Sequence, residues 1–590
     1  MTDLLDAAPP PSRVAASPPP LPARRRPTAR VLLAVVVSLV VVYLVFGPLV
    51  ILLASSFQDT SLALPLSSGS TWTLSNVTSV LGASQTWHLL LTTVEYALGS
   101  LLIASFFSIA FAWLVERTNI PMRRTLYVLV VASSGIPGLI FAISWSLLLN
   151  PNNGAVNQVL HAVFGFRFDV LSLPGMIFVQ GVQLVPLMFL LIGAAFRGMN
   201  GSLEDAAAAS GAPMRTTLFR ITLPMLAPAL LGAMIYNFVN IIEWVDIPLV
   251  LGLPGHVSVL STQVFLTVQP PSGLPDYGLA SSYGLLLVVL SLVPLILYQR
   301  LIRRSSRFAT VTGKGYRPRP IQLGRMRYPT LGIALLYIVI VLVLPLLMLF
   351  WSSIQPYYSG LNSKAFHRSN WTAYSNLFGS STLTSTVVNT IVLGLCAAAG
   401  TMVLSLLSSW LVVRARNRAA GWLDFLMFFP HMIPSIVIGL AVLLVYLILP
   451  VGVYGTIWIM VIAMITKYMS LGTRITNPGM AQVHVSLEEA AAVSGGAVRH
   501  IWMRVLIPLL RSVASNGFLI VFLVSIQNLT LPLLLSSPGN DVMATLIWNR
   551  YQLGFVQSAS ALSVMMTVLT MVIAAALRGS GTNAGSRSAA

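Results

Sequence analysis

The chain has 590 residues, of which 56% are hydrophobic and only 8% charged, and its mean hydropathy is +0.84. A soluble domain of this size cannot hide so much apolar surface, so the composition excludes a soluble enzyme and points to a multi-pass membrane protein. The net charge of +19 does not mark a nucleic-acid surface, because the Lys and Arg residues gather at the ends of apolar runs, where they set topology.

Residues 1–29 are rich in Pro and Ala, carry Arg24, Arg25 and Arg26, and read as a disordered cytoplasmic tail. The apolar run that follows is too long for a signal-peptide core and lacks a small-residue cleavage site, so it is read as a retained helix. With about 20 apolar residues per span, the first half gives helices at 31–55, 88–114, 125–149, 175–196, 224–251 and 280–299. The second half gives 329–353, 384–412, 422–447, 454–472, 508–533 and 555–577. The expected fold is therefore an all-α polytopic membrane protein of 12 transmembrane helices. A first domain covers 30–300, a basic linker 301–328, a second domain 329–578 and a short tail 579–590. Loops 56–87 and 252–279 contain no Lys or Arg, whereas Arg117, Arg123, Arg124, Arg197, Arg215, Arg220 and the linker cluster all fall on the other side. Both termini and the linker are accordingly expected in the cytoplasm.

The two halves repeat each other. Trp113-Leu-Val-Glu-Arg117 matches Trp410-Leu-Val-Val-Arg414, and Ile136-Pro137 matches Ile433-Pro434, each 297 residues apart. An even number of spans per half makes the repeats parallel, related by an axis along the membrane normal. Pro137 and Pro434 are expected to kink their helices. The long loop from Asn150 to Pro174 in the first half holds Val156, Val159, Leu160, Val163 and Phe164 at helical spacing, which predicts an amphipathic helix at the membrane surface or a contact for another protein.

A second repeat lies on the cytoplasmic side, 284 residues apart: Glu204-Asp205-Ala206-Ala207-Ala-Ala-Ser-Gly211 and Glu488-Glu489-Ala490-Ala491-Ala-Val-Ser-Gly495. The Ala runs predict short helices whose small side chains another protein can approach closely. The acids stand in the first turn, where the helix dipole favours them, and the glycines end each helix. Pro224 and Pro508 then open the next membrane helix, where a missing N–H costs nothing.

These paired segments resemble the EAA loops of binding-protein-dependent ABC importer permeases, with Asp205 in place of Glu in the first copy and Ile507 in place of Leu in the second. At finer grain the chain resembles fused two-half permeases of the ferric-iron type. That likeness rests on Trp113 to Arg124, Asn153-Gly154, the linker Gly-Lys-Gly-Tyr-Arg-Pro-Arg, Pro271, and Asp276-Tyr-Gly-Leu-Ala280. The resemblance implies a multi-pass permease of the bacterial inner membrane with no catalysis of its own. Its partners would be a dimer of separate ATP-binding subunits docked on the two EAA segments and an extracytoplasmic substrate-binding protein, with lipid around it. Thiamine, polyamine and phosphonate permeases share much of the pattern and remain alternatives to iron.

The linker's Gly313-Lys314 is no phosphate loop, because Phe308 stands where the leading Gly would be. No cofactor or metal centre is expected: Cys396 is the single cysteine, and no two of the seven His have ligand spacing. Charges inside the spans are informative because they are costly there. Glu243 and Asp246 fall about 30 Å along the fifth helix, near its outer end, and their counterparts are Gln527 and Thr530. As a substrate pathway, these oxygens would suit a hard cation such as Fe³⁺. As anchors, they would reach headgroups or pair with a neighbouring helix. Glu95, and Lys467 near the cytoplasmic end of the tenth span, read as snorkelling or paired. An ion-coupled secondary transporter, the competing class, would need mid-depth charges and broken helices, and central charge in this sequence is sparse.

Overall fold

A computed structural model of the chain describes residues 28–587 except 61–62, 200, 306–319, 359–362 and 416–417. Residues 1–27 of the expected N-terminal tail, the Gly-Lys-Gly-Tyr-Arg-Pro-Arg stretch and the last three residues lie outside the described residues, and Thr28 and Ala29 already belong to the first helix. Among the described residues, nine helices are long and apolar enough to cross a membrane. They are Val31–Ser56, Ser84–Arg117, Leu173–Gly198, Met214–Glu243 and Tyr277–Pro294 in the first half, then Gly324–Ser353, Ser381–Ala415, Val498–Gln527 and Val556–Ile573 in the second.

The third and ninth expected spans are broken rather than gently kinked. Arg123–Gly135 meets Gly138–Leu148 at 97°, and Arg418–Met432 meets Ser435–Ile448 at 104°. The cause is local: Ile136 and Ile433 each precede a proline, which pushes them out of the helical region, and both are extended. Beyond each break the helix is apolar all round and almost wholly buried, as an element surrounded by protein should be. The two arms are exchanged between the halves: Gly138–Leu148 packs on Leu344–Ser353, and Ser435–Ile448 packs on the first helix, Thr28–Ser56.

Counting each bent pair as one span gives eleven, against the expected twelve. The remaining segment, Ile457–Gln482, is a helix at the position matching Leu173–Gly198, but Lys467, Arg474 and several Ser and Thr lower its hydropathy. Thr466, Lys467, Ser470, Thr473 and Thr476 are buried, so most of its polarity faces protein, while Arg474 is exposed.

The fifth and eleventh spans also stop early, at Glu243 and Gln527. A proline cannot bond to the carbonyl four residues back, and its ring crowds that carbonyl. Pro248 thus disrupts Trp244, and Pro532 disrupts Asn528; both disrupted residues are extended. The chain then returns in buried helices that the apolar pattern did not reveal, Leu260–Val268 and Met543–Gln552. Their starts are held alike: Thr93 Oγ1 accepts from Leu260 N at 3.0 Å and Thr390 Oγ1 from Met543 N at 2.8 Å. The surface helix expected after Asn150 is present as Ala155–Phe164, with Val159, Val163 and Phe164 more than half exposed.

Candidate functional site

At one end of the bundle, the two EAA segments fold as a short helix, a glycine turn and a second helix. Ser202–Ala209 ends before Gly211 at φ +74°, and Val485–Val493 ends before Gly495 at φ +81°. Only glycine adopts this left-handed conformation without strain. Nothing crowds either turn, so conformation rather than space demands Gly there.

The first acid of each segment turns inward and is nearly buried. Glu204 Oε2 lies 3.4 Å from Arg117 Nε, and its Oε1 accepts from Thr222 Oγ1 at 2.6 Å. Glu488 accepts from Arg414 Nε at 2.7 Å and from Trp410 Nε1 at 2.9 Å. Each arginine also donates back to the chain that leads into the segment: Arg117 to the Phe196 and Met199 carbonyls, Arg414 to the Val483 carbonyl. Each EAA helix is therefore fastened to the end of a long membrane helix, Ser84–Arg117 or Ser381–Ala415, by a buried ion pair. Removing one partner of such a pair costs about 3–5 kcal/mol, because the other charge is left uncompensated. Glu489, Ala206 and Ala490 face outward, Asp205, Ala207 and Ala491 are part-exposed, and Val493 is 86% exposed. Arg117 and Arg414 were not singled out from the sequence, although the repeated Trp-Leu-Val-x-Arg motif carried the signal.

The second cluster lies at the helix breaks. Glu243 does end the fifth helix, but that end is enclosed by protein: Glu243 is 4% exposed. Its Oε2 is 2.5 Å from Lys467 Nζ and accepts from Ser435 N at 3.3 Å, while Lys467 also donates to the Ile433 carbonyl at 3.1 Å. The pair thus joins the two halves inside the second-half break. Ile457–Gln482 extends beyond its apolar run, so Lys467 stands mid-helix rather than near a cytoplasmic end. Central charge is present after all, and at this break it is paired. Glu95, by contrast, is exposed.

Asp246 occupies the first-half break. A Cβ on Gly138 would lie 2.6 Å from Asp246 Oδ2 and 2.8 Å from Gln183 Nε2, so the absence of a side chain there makes room for the carboxylate. Asp246 Oδ1 is buried without a hydrogen-bond partner. Gln183, the counterpart of Lys467, belongs to a chain of polar groups: Tyr96 Oη donates to Gln180 Oε1 at 2.7 Å, and Gln180 Nε2 to Gln183 Oε1 at 3.4 Å. Gln527 reaches the Gly135 carbonyl at 3.5 Å, and Thr530 is buried beside its own break. Among the described residues, no group of three or more His, Cys, Asp or Glu stands close enough to hold a metal ion. At the end of the bundle opposite the EAA segments, a cavity of about 390 Å³ opens between the halves, lined by Ser146, Asn150, Tyr358, Trp548 and Tyr551. Tyr551 Oη lies 2.9 Å from Ser146 Oγ across the half boundary.

The profile of the family described as "Binding-protein-dependent transport system inner membrane component" matches residues 104–307 and again 401–583. The ferric transport system permease protein FbpB of Actinobacillus pleuropneumoniae is 25% identical over 553 residues, covering 90% of this chain and 75% of its own length. A putative ferric transport system permease protein, FbpB 1 of Haemophilus influenzae, is 25% identical over 430 residues, with 71% and 66% of the two chains covered. The molybdenum transport system permease protein ModB of Escherichia coli K12 is 25% identical over 222 residues, covering 37% of this chain and 94% of its own. A single-half relative of that kind fits a chain built from two copies of one unit, and with both copies matched the chain belongs to the family of inner-membrane components of binding-protein-dependent transport systems.

Proposed function

We propose that the chain is the complete translocation unit of an ABC importer for ferric iron. Both halves of the pathway lie in one polypeptide, and ATP is hydrolysed by two separate subunits docked on Ser202–Ala209 and Val485–Val493. The termini and both EAA segments face the cytoplasm, in keeping with the basic loops on that side. The opposite end, with its cavity of about 390 Å³ between the halves, receives cargo from an extracytoplasmic binding protein.

The observation that carries the reading is the pair of buried Glu–Arg anchors, Glu204–Arg117 and Glu488–Arg414. A rigid link of this kind passes a push on a small surface helix to a long membrane helix with little loss. When the ATP-binding subunits close, Ser84–Arg117 and Ser381–Ala415 move with their EAA helices, and the contact between the halves at Glu243–Lys467 must rearrange. Opening exposes Glu243 and Asp246, whose hard oxygens suit a hard cation. The names of the two ferric relatives, which cover most of the chain, support iron as the cargo.

Mid-span charge beside broken helices is also what an ion-coupled transporter would use. Membership of a binding-protein-dependent family favours ATP as the energy source. The test is uptake of radiolabelled ferric iron into vesicles holding the chain, its ATPase and its binding protein. Uptake should require ATP and binding protein, survive a protonophore, and vanish in Asp205→Lys with Glu489→Lys as the ATPase ceases to co-purify. Uptake that follows the ion gradient without ATP would reject the proposal.

A further inference from the structure

The last described part of the linker is built into one of the two EAA sites. Residues 320–322 run parallel to 117–119, with Thr118 bridged to Ile321. Ile321 N donates to the Arg117 carbonyl at 2.8 Å, and Asn119 N to the Ile321 carbonyl at 3.1 Å. The Asn119 side chain completes the join: Nδ2 donates to Gln322 Oε1 at 2.6 Å, and Oδ1 accepts from Leu323 N at 2.9 Å. This linker segment is therefore stitched to the residues that follow Arg117, the anchor of Glu204. Together they wall a cleft of about 740 Å³, with Glu204, Asp205 and Ala212 of the first EAA segment on one side and Pro320, Ile321 and Gln322 on the other. The second site has its own anchor in Arg414, Trp410 and the Val483 carbonyl, but the chain has only one linker to give.

We propose that the ATP-binding subunit seated on the first EAA segment also contacts the linker at Pro320–Gln322, which makes the two docking sites of this chain unequal. The inference rests on the reading of the EAA segments as ATPase docking sites. The occupant follows from continuity: the cleft shares Glu204 and Asp205 with the first docking helix, so a protein pressed against that helix meets the linker wall. Pro320 and Gln322 are exposed and Met214 on the rim is 45% exposed, a mix of apolar and hydrogen-bonding groups that suits a protein partner. Asn119 is a positioning residue in this scheme, holding the linker against the cleft.

The test uses the complete importer in membranes, with Cys396→Ser removing the single cysteine. A photo-activatable maleimide is placed in turn on Ala209→Cys in the first EAA segment, Val493→Cys in the second, and Gln322→Cys in the linker. Adducts with the ATP-binding subunit are expected from all three. Adducts from the two EAA positions and none from Gln322→Cys would overturn the linker contact alone, whereas none from any position would reject the docking reading and this inference with it. Gln322→Cys leaves the Leu323 N bond to Asn119 Oδ1 in place, so adding Asn119→Ala should lower the Gln322→Cys adduct about fivefold, as expected for loss of that one hydrogen bond worth about 1 kcal/mol. The Val493→Cys adduct should stay unchanged. An equal fall at both positions would show a general loss of folding and overturn the positioning role of Asn119.

Discussion

The two halves of this chain share one scaffold and differ where they meet. In the second-half break, Lys467 and Ser435 hold Glu243 of the first half. At the matching place in the first-half break stand Gln183 and Gly138, with Gln527 reaching Gly135 in place of Glu243. The backbone devices are the same on both sides: an Ile-Pro break, a proline that ends the fifth helix of each half, and a threonine that receives the returning helix. Duplication has kept the parts that fix the geometry of the chain and released the side chains that decide charge. One seam between the halves is therefore an ion pair, the other is bridged by the neutral Gln527 and Thr570 side chains at the Gly135 carbonyl, and the surplus carboxylate, Asp246, sits on the neutral side.

If charge makes the seams unequal, breaking the charged one should have the largest effect. Lys467→Ala leaves Glu243 buried without a cation and should destabilise the protein by about 3–5 kcal/mol. Gln183→Ala, at the matching position, should cost about 1 kcal/mol, the scale of one neutral hydrogen bond. Glu243→Gln with Lys467→Met should regain most of the loss, since replacing both charges by neutral groups of similar size removes the uncompensated one. Thermal unfolding in detergent measures all four proteins. Equal losses from Lys467→Ala and Gln183→Ala would mean that the ion pair is solvated and the seams are alike.

The next effect is steric and tests why one half has Gly where the other has Ser. A Cβ on Gly138 would press within 2.6 Å of Asp246 Oδ2, so Gly138→Ala should cost about 1–3 kcal/mol through overpacking. Gly138→Ser with Asp246→Thr copies the second-half pair, Ser435 with Thr530, and should recover most of that loss. A double variant no more stable than Gly138→Ala would show that the two breaks differ in backbone as well as in side chains.

Much of this arrangement was legible in the sequence, and what was not has a physical reason. Apolar runs, basic loops and the repeated Trp-Leu-Val-x-Arg and EAA segments gave the two-half membrane architecture. The prolines marked the right places, but a proline in an apolar run can curve a helix or break it: the extended Ile136 and Ile433 open each break, and the packing of Gly138–Leu148 and Ser435–Ile448 across the halves accompanies a bend near 100°. The span Ile457–Gln482 was drawn too short because its polar residues are satisfied by protein neighbours, which hydropathy does not register. Lys467 was consequently assigned to a helix end. Its partner Glu243 is 224 residues away, and no local pattern links them. The inward turn of Glu204 and Glu488 was missed for a related reason: an acid in a first turn is explained well enough by the helix dipole, so nothing local asked for Arg117 or Arg414.

The smallest expected change in stability tests the link between this asymmetry and transport. Asp246 has a buried oxygen without a partner and forms no salt bridge among the described residues. Asp246→Asn therefore removes a costly charge without orphaning another, and unfolding should move by less than about 1 kcal/mol, toward greater stability. Uptake should move the other way. If the carboxylate is a way-station for a cation released from the binding protein, its loss should slow ferric iron uptake about tenfold to a hundredfold, since a contact to a charged group is worth about 1.5–3 kcal/mol. Thr530→Ala, the matching change in the second half, removes no charge and should leave uptake within about twofold, the range of a surplus neutral contact. ATP hydrolysis stimulated by loaded binding protein should persist in both variants, because the EAA surfaces are untouched. The decisive quantity is iron taken up per ATP hydrolysed, at matched expression. A fall confined to Asp246→Asn, with stability unchanged or raised, separates a role in conduction from a role in folding. Equal and small effects from both variants would leave Asp246 as a residue that the scaffold tolerates, and the charge difference between the halves would then serve to hold them together at Glu243–Lys467 and not to pass the cargo.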